Sequence, residues 1–134
     1  MKKIVLLIFF ISLSCQQAKT VKESQAPTFG IVIHGGAGTI LRTNMTSETE
    51  AAYRKVLGEA IQVGHSILKK GGTSQEAVEK TIHVMENSPL FNAGKGAVLT
   101  ADEKIELDAS FMHGATLDAG AISGVKTIKH PISA

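Results

Sequence analysis

The sequence predicts an α/β chain in which helices pack on a sheet. Three observations carry that expectation. A short β-branched run, Phe29 to His34, stops at Gly35-Gly36. Two later stretches space their apolar residues by three and four. After Pro89 the period shortens to that of strands. The composition is that of a globular chain: 43% hydrophobic and 19% charged residues argue against intrinsic disorder.

The first segment reads as an address. Met1-Lys2-Lys3 is a positive start, and Ile4 to Ile11 (IVLLIFFI) is an apolar run of eight residues. A membrane-spanning helix needs about 20, so this run reads as the core of a signal peptide. Ser12-Leu13-Ser14 then leads into Cys15, an arrangement similar to the lipobox of bacterial lipoproteins, in which Cys15 becomes the lipidated first residue. The expected product is exported, periplasmic or membrane-anchored. Residues 1–15 are the signal segment, and residues 16–28 a polar tether without periodicity. Lys plus Arg number 14 against 12 for Asp plus Glu; without Lys2 and Lys3 the count is 12 against 12. That balance removes any basic footprint for nucleic acid. A single cysteine excludes an internal disulfide and a multi-cysteine zinc site.

The elements follow in order. Phe29 to His34 (FGIVIH) predicts a buried strand. Ser47-x-x-Glu50 is a capping-box pattern opening a helix whose apolar face is Tyr53, Val56, Leu57, Ala60, Ile61, Gly64, Ile67 and Leu68. Lys69 and Lys70 suit its negative end, and Gly71-Gly72 stop it. Thr73-x-x-Glu76 repeats the capping box before a second face of Ala77, Val78, Thr81, Ile82 and Met85, which ends before Pro89. Ala97 to Thr100 and Ile105 to Met112 read as a hairpin around Ala101-Asp102-Glu103-Lys104, and Ala119 to Val125 as a third strand. His130-Pro131 reads as the start of a helix with only three residues after it, so the pattern is that of half a domain. A layered sheet of this length would leave edges and one face uncovered.

Chemistry concentrates in two glycine-shaped loops. In His34-Gly35-Gly36-Ala37-Gly38 the glycines permit positive φ and close approach of a ligand or strand. The dinucleotide and P-loop patterns are absent, which leaves a tight turn with His34 packed behind it as the plain alternative. In Ser88-Pro89-Leu90-Phe91-Asn92-Ala93-Gly94-Lys95-Gly96-Ala97, carbonyls can turn inward around a cation and Asn92 can offer a donor and an acceptor to a polar ligand. A purely structural loop explains the same spacing. Glu106 and Asp108 share one strand face, as an acid–base pair or as a solvated, salt-bridged surface. His65, His83 and His113 lack ligand partners at diagnostic spacing, and Met45, Met85 and Met112 read as core filler.

Together IVIHGGAG, the G-x-x-x-L-x-x-G-G-T-S run from Gly64 to Ser74 with Ala77-Val78-Glu79 after it, and PLFNAGKGAVLTADEKIELDAS resemble the N-terminal part of the isoaspartyl peptidase/L-asparaginase family. These are the plant-type asparaginases among the N-terminal-nucleophile hydrolases. HGGAG favours this branch over the glycosylasparaginase and taspase relatives. The similarity covers about Phe29 to Ala134.

The resemblance implies an αββα four-layer sandwich, incomplete in this chain, with residues 29–134 as the N-terminal part of an α-subunit. It implies a precursor that cuts itself before an internal threonine, whose hydroxyl then attacks L-asparagine or β-aspartyl peptides with its own α-amino group as base. The Gly35-Gly36 turn would pack beside that nucleophile and Asn92 would face the active site. The carbonyls of Met85, Glu86, Ser88, Phe91, Ala93 and Lys95 match the family's sodium-binding loop, and Ile105 to Met112 a central strand. Implied partners are the chain's own C-terminal β-subunit and a second cleaved protomer. No catalytic residue lies within the 134 residues: the threonine in its G-T-V-G setting, the oxyanion donors and the substrate clamp belong downstream, and His113 stands where an acid is common. The chain alone is expected to be inactive. The alternative from a different class is a truncated, non-catalytic lipoprotein that binds a small amide or a protein partner through the same loops.

Overall fold

The computed structural model describes residues 28–37 and 41–134. The signal segment with Cys15, residues 16–27 of the tether and Gly38 lie outside the described residues. The described part is α/β: two helices, α1 (Ser47–Lys69) and α2 (Ser74–Glu86), and two antiparallel strands, β1 (Leu107–Met112) and β2 (Ala119–Val125). Short 3-10 turns occupy Arg42–Asn44, Gly94–Gly96 and Pro131–Ser133. Among the described residues no helix is long and apolar enough to cross a membrane.

α1 opens one residue earlier than the capping box places it. Thr46 is the cap: its backbone is extended and its hydroxyl accepts the Thr49 amide at 3.2 Å. Ser47 cannot play that role, because the Glu50 amide already donates to the Thr46 carbonyl at 2.9 Å. The predicted apolar face of α1 is buried or half-buried along its whole length. The helix ends in a Schellman motif, with Gly72 N donating to Ile67 O at 2.9 Å and Gly71 N to Leu68 O at 3.0 Å. Gly71 takes φ +83, which explains a glycine there. α2 opens as expected, Thr73 accepting the Glu76 amide at 3.1 Å. Of its predicted face, Ala77 and Thr81 are buried while Val78 stays exposed.

The helices cross closely at Gly64. A β-carbon there would overlap Ile31 Cδ1 of the segment before α1 and Thr81 Oγ1 of α2. The core lies at this crossing and just beyond it, where Ala60, Ala77 and Phe91 are buried. Tyr53 meets Phe91 edge-on, ring centroids 5.7 Å apart, and donates its hydroxyl proton to Leu90 O at 2.8 Å.

The strand expectations need correction in two places. Phe29 to His34 is not in a sheet: residues 28–37 pair with no strand among the described residues. Its side chains nevertheless alternate, Ile31 and Ile33 half-buried while Val32 and His34 are exposed. The period of a strand is present and the ladder partner is not.

The second correction concerns the hairpin. Residues 101–104 do turn the chain, with Thr100 N donating to Lys104 O at 2.8 Å and Glu103 N to Thr100 O at 2.9 Å. Ala97 to Thr100 then leaves Ile105 to Met112 without forming a ladder. β1 instead pairs with β2, Ser110 opposite Ala121 and Phe111 opposite Gly120. The connecting turn is closed by His113 N to Asp118 O and Leu117 N to His113 O, each 2.8 Å. Met112 at the end of β1 and Leu117 in the connecting turn are exposed. Met112 is therefore not core filler here, whereas Met45 and Met85 are half-buried. The predicted terminal helix start is a single 3-10 turn with Pro131 at its first position, buried beside α2 and β1.

Candidate functional site

Both glycine loops border one concavity of about 660 Å³. Gly35, Gly36 and Ala37 line it from the first loop, the Phe91–Ala93 stretch from the second, and Tyr53 and Met85 from α1 and α2. Folding alone makes this juxtaposition, because the two loops are separated by 49 residues of chain.

The first loop is held from below. A β-carbon on Gly35 would stand 3.1 Å from the Leu57 side chain of α1, so the backbone rests directly on the helix. Gly36 takes φ +121, a conformation that side chains rarely adopt. His34 is exposed rather than packed behind the turn; its Nδ1 accepts the Gly36 amide at 3.3 Å and holds the turn locally.

The second loop is tied to the end of α2. Ser88 and Phe91 are buried, and the Ser88 amide donates to Met85 O at 3.0 Å. Asn92 is exposed at the concavity, and its Oδ1 accepts the Val98 amide at 2.9 Å, closing the loop across six residues. Gly94 takes φ +50, and a β-carbon there would stand 2.5 Å from Glu86 O. A β-carbon on Gly96 would overlap Phe91 O and stand 2.8 Å from Pro89 O. The two glycines thus let main-chain carbonyls of Glu86, Pro89 and Phe91 approach the loop backbone closely. Phe91 and Ala93 each give one carbonyl lone pair to an amide within the segment, and a carbonyl has two. Hard oxygen donors of this kind suit a hard cation.

The carboxylates of the β1 region do not form an acid–base pair. Asp108 accepts from Gly124 N at 2.8 Å and Ser123 Oγ at 2.7 Å, and so fastens the bulge where Gly124 takes φ +66. The Gly124 amide first and the Ser123 hydroxyl second hold its carboxyl below the usual carboxylate range. Glu106 pairs with Lys126 at 3.0 Å.

A polar cluster that the spacing did not reveal lies on the far side of α2. Glu86, 4% exposed, accepts from His130 Nδ1 at 2.9 Å and from the Ile132 amide at 3.3 Å. The His83 ring stacks on His130 with centroids 4.3 Å apart, and its Nε2 lies 2.6 Å from Ser133 Oγ. Burial, followed by the His130 and Lys80 charges, pushes the His83 imidazole down from its usual value. His83-x-x-Glu86, one turn apart on a helix, was the visible half of the signal. The third member arrives from 44 residues further along the chain.

A protein-family model described as Asparaginase matches residues 27–134. The isoaspartyl peptidase of Salmonella typhimurium is 45% identical over 104 residues, covering 78% of this chain and 33% of that protein. The plant-type L-asparaginase of Pyrococcus furiosus is 48% identical over 103 residues, covering 77% of this chain and 32% of that protein. The isoaspartyl peptidase of Escherichia coli is 43% identical over 104 residues, with 78% and 32% covered. The chain spans about a third of the length of these relatives. On the match across residues 27–134, this chain belongs to the asparaginase family that takes in the isoaspartyl peptidases and plant-type L-asparaginases.

Proposed function

We propose that this chain is part of an exported isoaspartyl peptidase/L-asparaginase that hydrolyses L-asparagine and β-aspartyl peptides. The observation that carries the reading is the shared concavity: two loops with family-matching sequences, joined by the fold around Asn92. In this proposal the nucleophile is a threonine outside residues 1–134, freed by self-cleavage of a precursor. Its α-amino group takes the hydroxyl proton, the oxygen attacks the side-chain amide carbon, and ammonia or the shortened peptide leaves. Water then releases aspartate from the acyl-enzyme. Donors fixed in the folded site would hold the developing oxyanion.

Residues of this chain position rather than react. The Gly35-Gly36 backbone, resting on Leu57, would set the wall against which the threonine packs. Asn92, with its Oδ1 held by the Val98 amide, would present its amide nitrogen to the site. The carbonyls of Met85, Glu86, Ser88, Phe91, Ala93 and Lys95 would hold a structural sodium ion that stiffens this loop. What favours that ion is the set of main-chain carbonyls, from Glu86, Pro89 and Phe91, that crowd around Gly94 and Gly96.

The αββα four-layer sandwich also belongs to the proposal. Val32 is 94% exposed on a strand-like segment, and Val98, Leu99 and Leu117 are exposed as well. Further strands and a second layer, supplied by a C-terminal β-subunit, would cover such surfaces. The assembled form would be a dimer of cleaved protomers, with a lipid on Cys15 as its tether.

The test is aspartate release by the complete gene product. Turnover of L-asparagine or a β-aspartyl dipeptide, abolished by replacing the threonine at the cleavage point with alanine, is the expected result. No release from either substrate by a folded protein would overturn the assignment. Residues 16–134 alone should release none above a boiled control.

A further inference from the structure

We propose that His83, Glu86 and His130 form a binding site for a divalent transition-metal ion of the zinc type. One nitrogen from each imidazole and one Glu86 oxygen lie within 4.8 Å of one another. A tetrahedral zinc ion with bonds of about 2.0 Å places neighbouring ligand atoms about 3.3 Å apart, so only small side-chain shifts close the set. His130 Nδ1 and Glu86 Oε2, at 2.9 Å, are already near that spacing.

The donor chemistry selects the ion. Two imidazoles and one carboxylate suit zinc, cobalt or nickel, whereas sodium, calcium and magnesium prefer all-oxygen sets. Three protein ligands leave a fourth position for water. The His83 and His130 side chains are 20% and 22% exposed, which gives the ion a way in, while Glu86 forms a buried base. A second layer of contacts orients the set. Ser133 Oγ donates to Glu79 Oε1 at 2.7 Å and touches His83 Nε2, and the Ile132 amide holds the other Glu86 oxygen.

The site is separate from the loop concavity: these side chains lie toward the Pro131–Ser133 turn, and none of the three lines that concavity. Its role follows from what it joins. His83 and Glu86 belong to α2, whereas His130 follows β2, so a bound ion would clip the hairpin to the helix across a 44-residue span. Such a cross-link stabilises by removing loop freedom and by adding binding free energy to the folded state. It would also brace the last turn of α2, from which the carbonyl-lined loop departs.

The experiment titrates cobalt(II) and zinc(II) into the complete gene product after chelator treatment. One cobalt ion per chain with visible absorption bands, and a higher Tm with zinc, are expected. His83→Asn and His130→Asn should each weaken cobalt binding tenfold or more, with the metal-free Tm of His83→Asn close to that of the parent. Absence of the bands and of the zinc shift would overturn the site. So would cobalt affinity unchanged by both substitutions. His83→Asn decides the matter by itself if His130→Asn does not fold, because His83 makes no hydrogen bond to Glu86 among those described.

Discussion

Gly94 packs against Glu86 so closely that a β-carbon at Gly94 would stand 2.5 Å from the Glu86 carbonyl oxygen. This contact packs the loop that bears Asn92 against the end of α2. Gly94→Ala must also hold an L residue at φ +50. Gly94→Ala and Gly96→Ala should each lower stability by about 1–3 kcal/mol. Gly114→Ala, with nothing within 4 Å of the added carbon, should be close to neutral. Urea unfolding of the complete gene product makes the comparison; equal effects at all three positions would refute the packed-loop account.

Asn92 offers a functional contrast. Asn92→Leu loses the acceptor for the Val98 amide, at a cost of about 1 kcal/mol. If the side chain also serves the site, kcat/KM for asparagine should fall tenfold or more. Asn92→Asp keeps the acceptor and should fold normally while still losing activity, because the amide donor is gone. Full activity in both variants would remove Asn92 from the site.

The crossing of α1 and α2 carries a buried hydroxyl. Thr81 Oγ1 has no hydrogen-bond partner among the described residues and faces Gly64. Thr81→Val replaces it with a methyl group of similar volume and should raise stability by about 1 kcal/mol. Gly64→Ala should act in the opposite direction, by about 1–3 kcal/mol, because Ile31 and Thr81 must both move. Thermal melts of the two variants against the parent provide the check.

Asp108 sets an acid limit on the hairpin. Its folded-state pKa lies below the unfolded one, so its contribution is present above the unfolded value and is lost as the pH falls through the folded value. Amide exchange at Gly124 should therefore accelerate at a pH below about 3.9, the ordinary aspartate value. Asp108→Asn should flatten that acid dependence. An unchanged acid profile in the variant would show that another group fastens the bulge.

Much of the helical fold was legible because its signals are local. Thr73 with Glu76, Gly71-Gly72 and the three-and-four spacing on α1 lie within a few residues of what they control. Strand pairing was not, since partner choice depends on distant chain. Ala97 to Thr100 turns correctly at residues 101–104 yet joins no strand ladder among the described residues, while β1 pairs with β2. The two site loops were visible as glycine clusters, but their meeting across one concavity required α1 and α2 to pack first. His83 looked ordinary, and Glu86 counted only for its carbonyl, until the fold delivered His130.

The central claim is that this chain contributes to a hydrolase whose nucleophile is an N-terminal threonine. Intact-mass measurement of the complete purified gene product tests it most directly. Two polypeptides are predicted, one containing this chain and the other beginning with threonine, and alanine at that position should leave a single uncut mass. A wild-type protein that stays whole, or is cut before some other residue, would contradict the account.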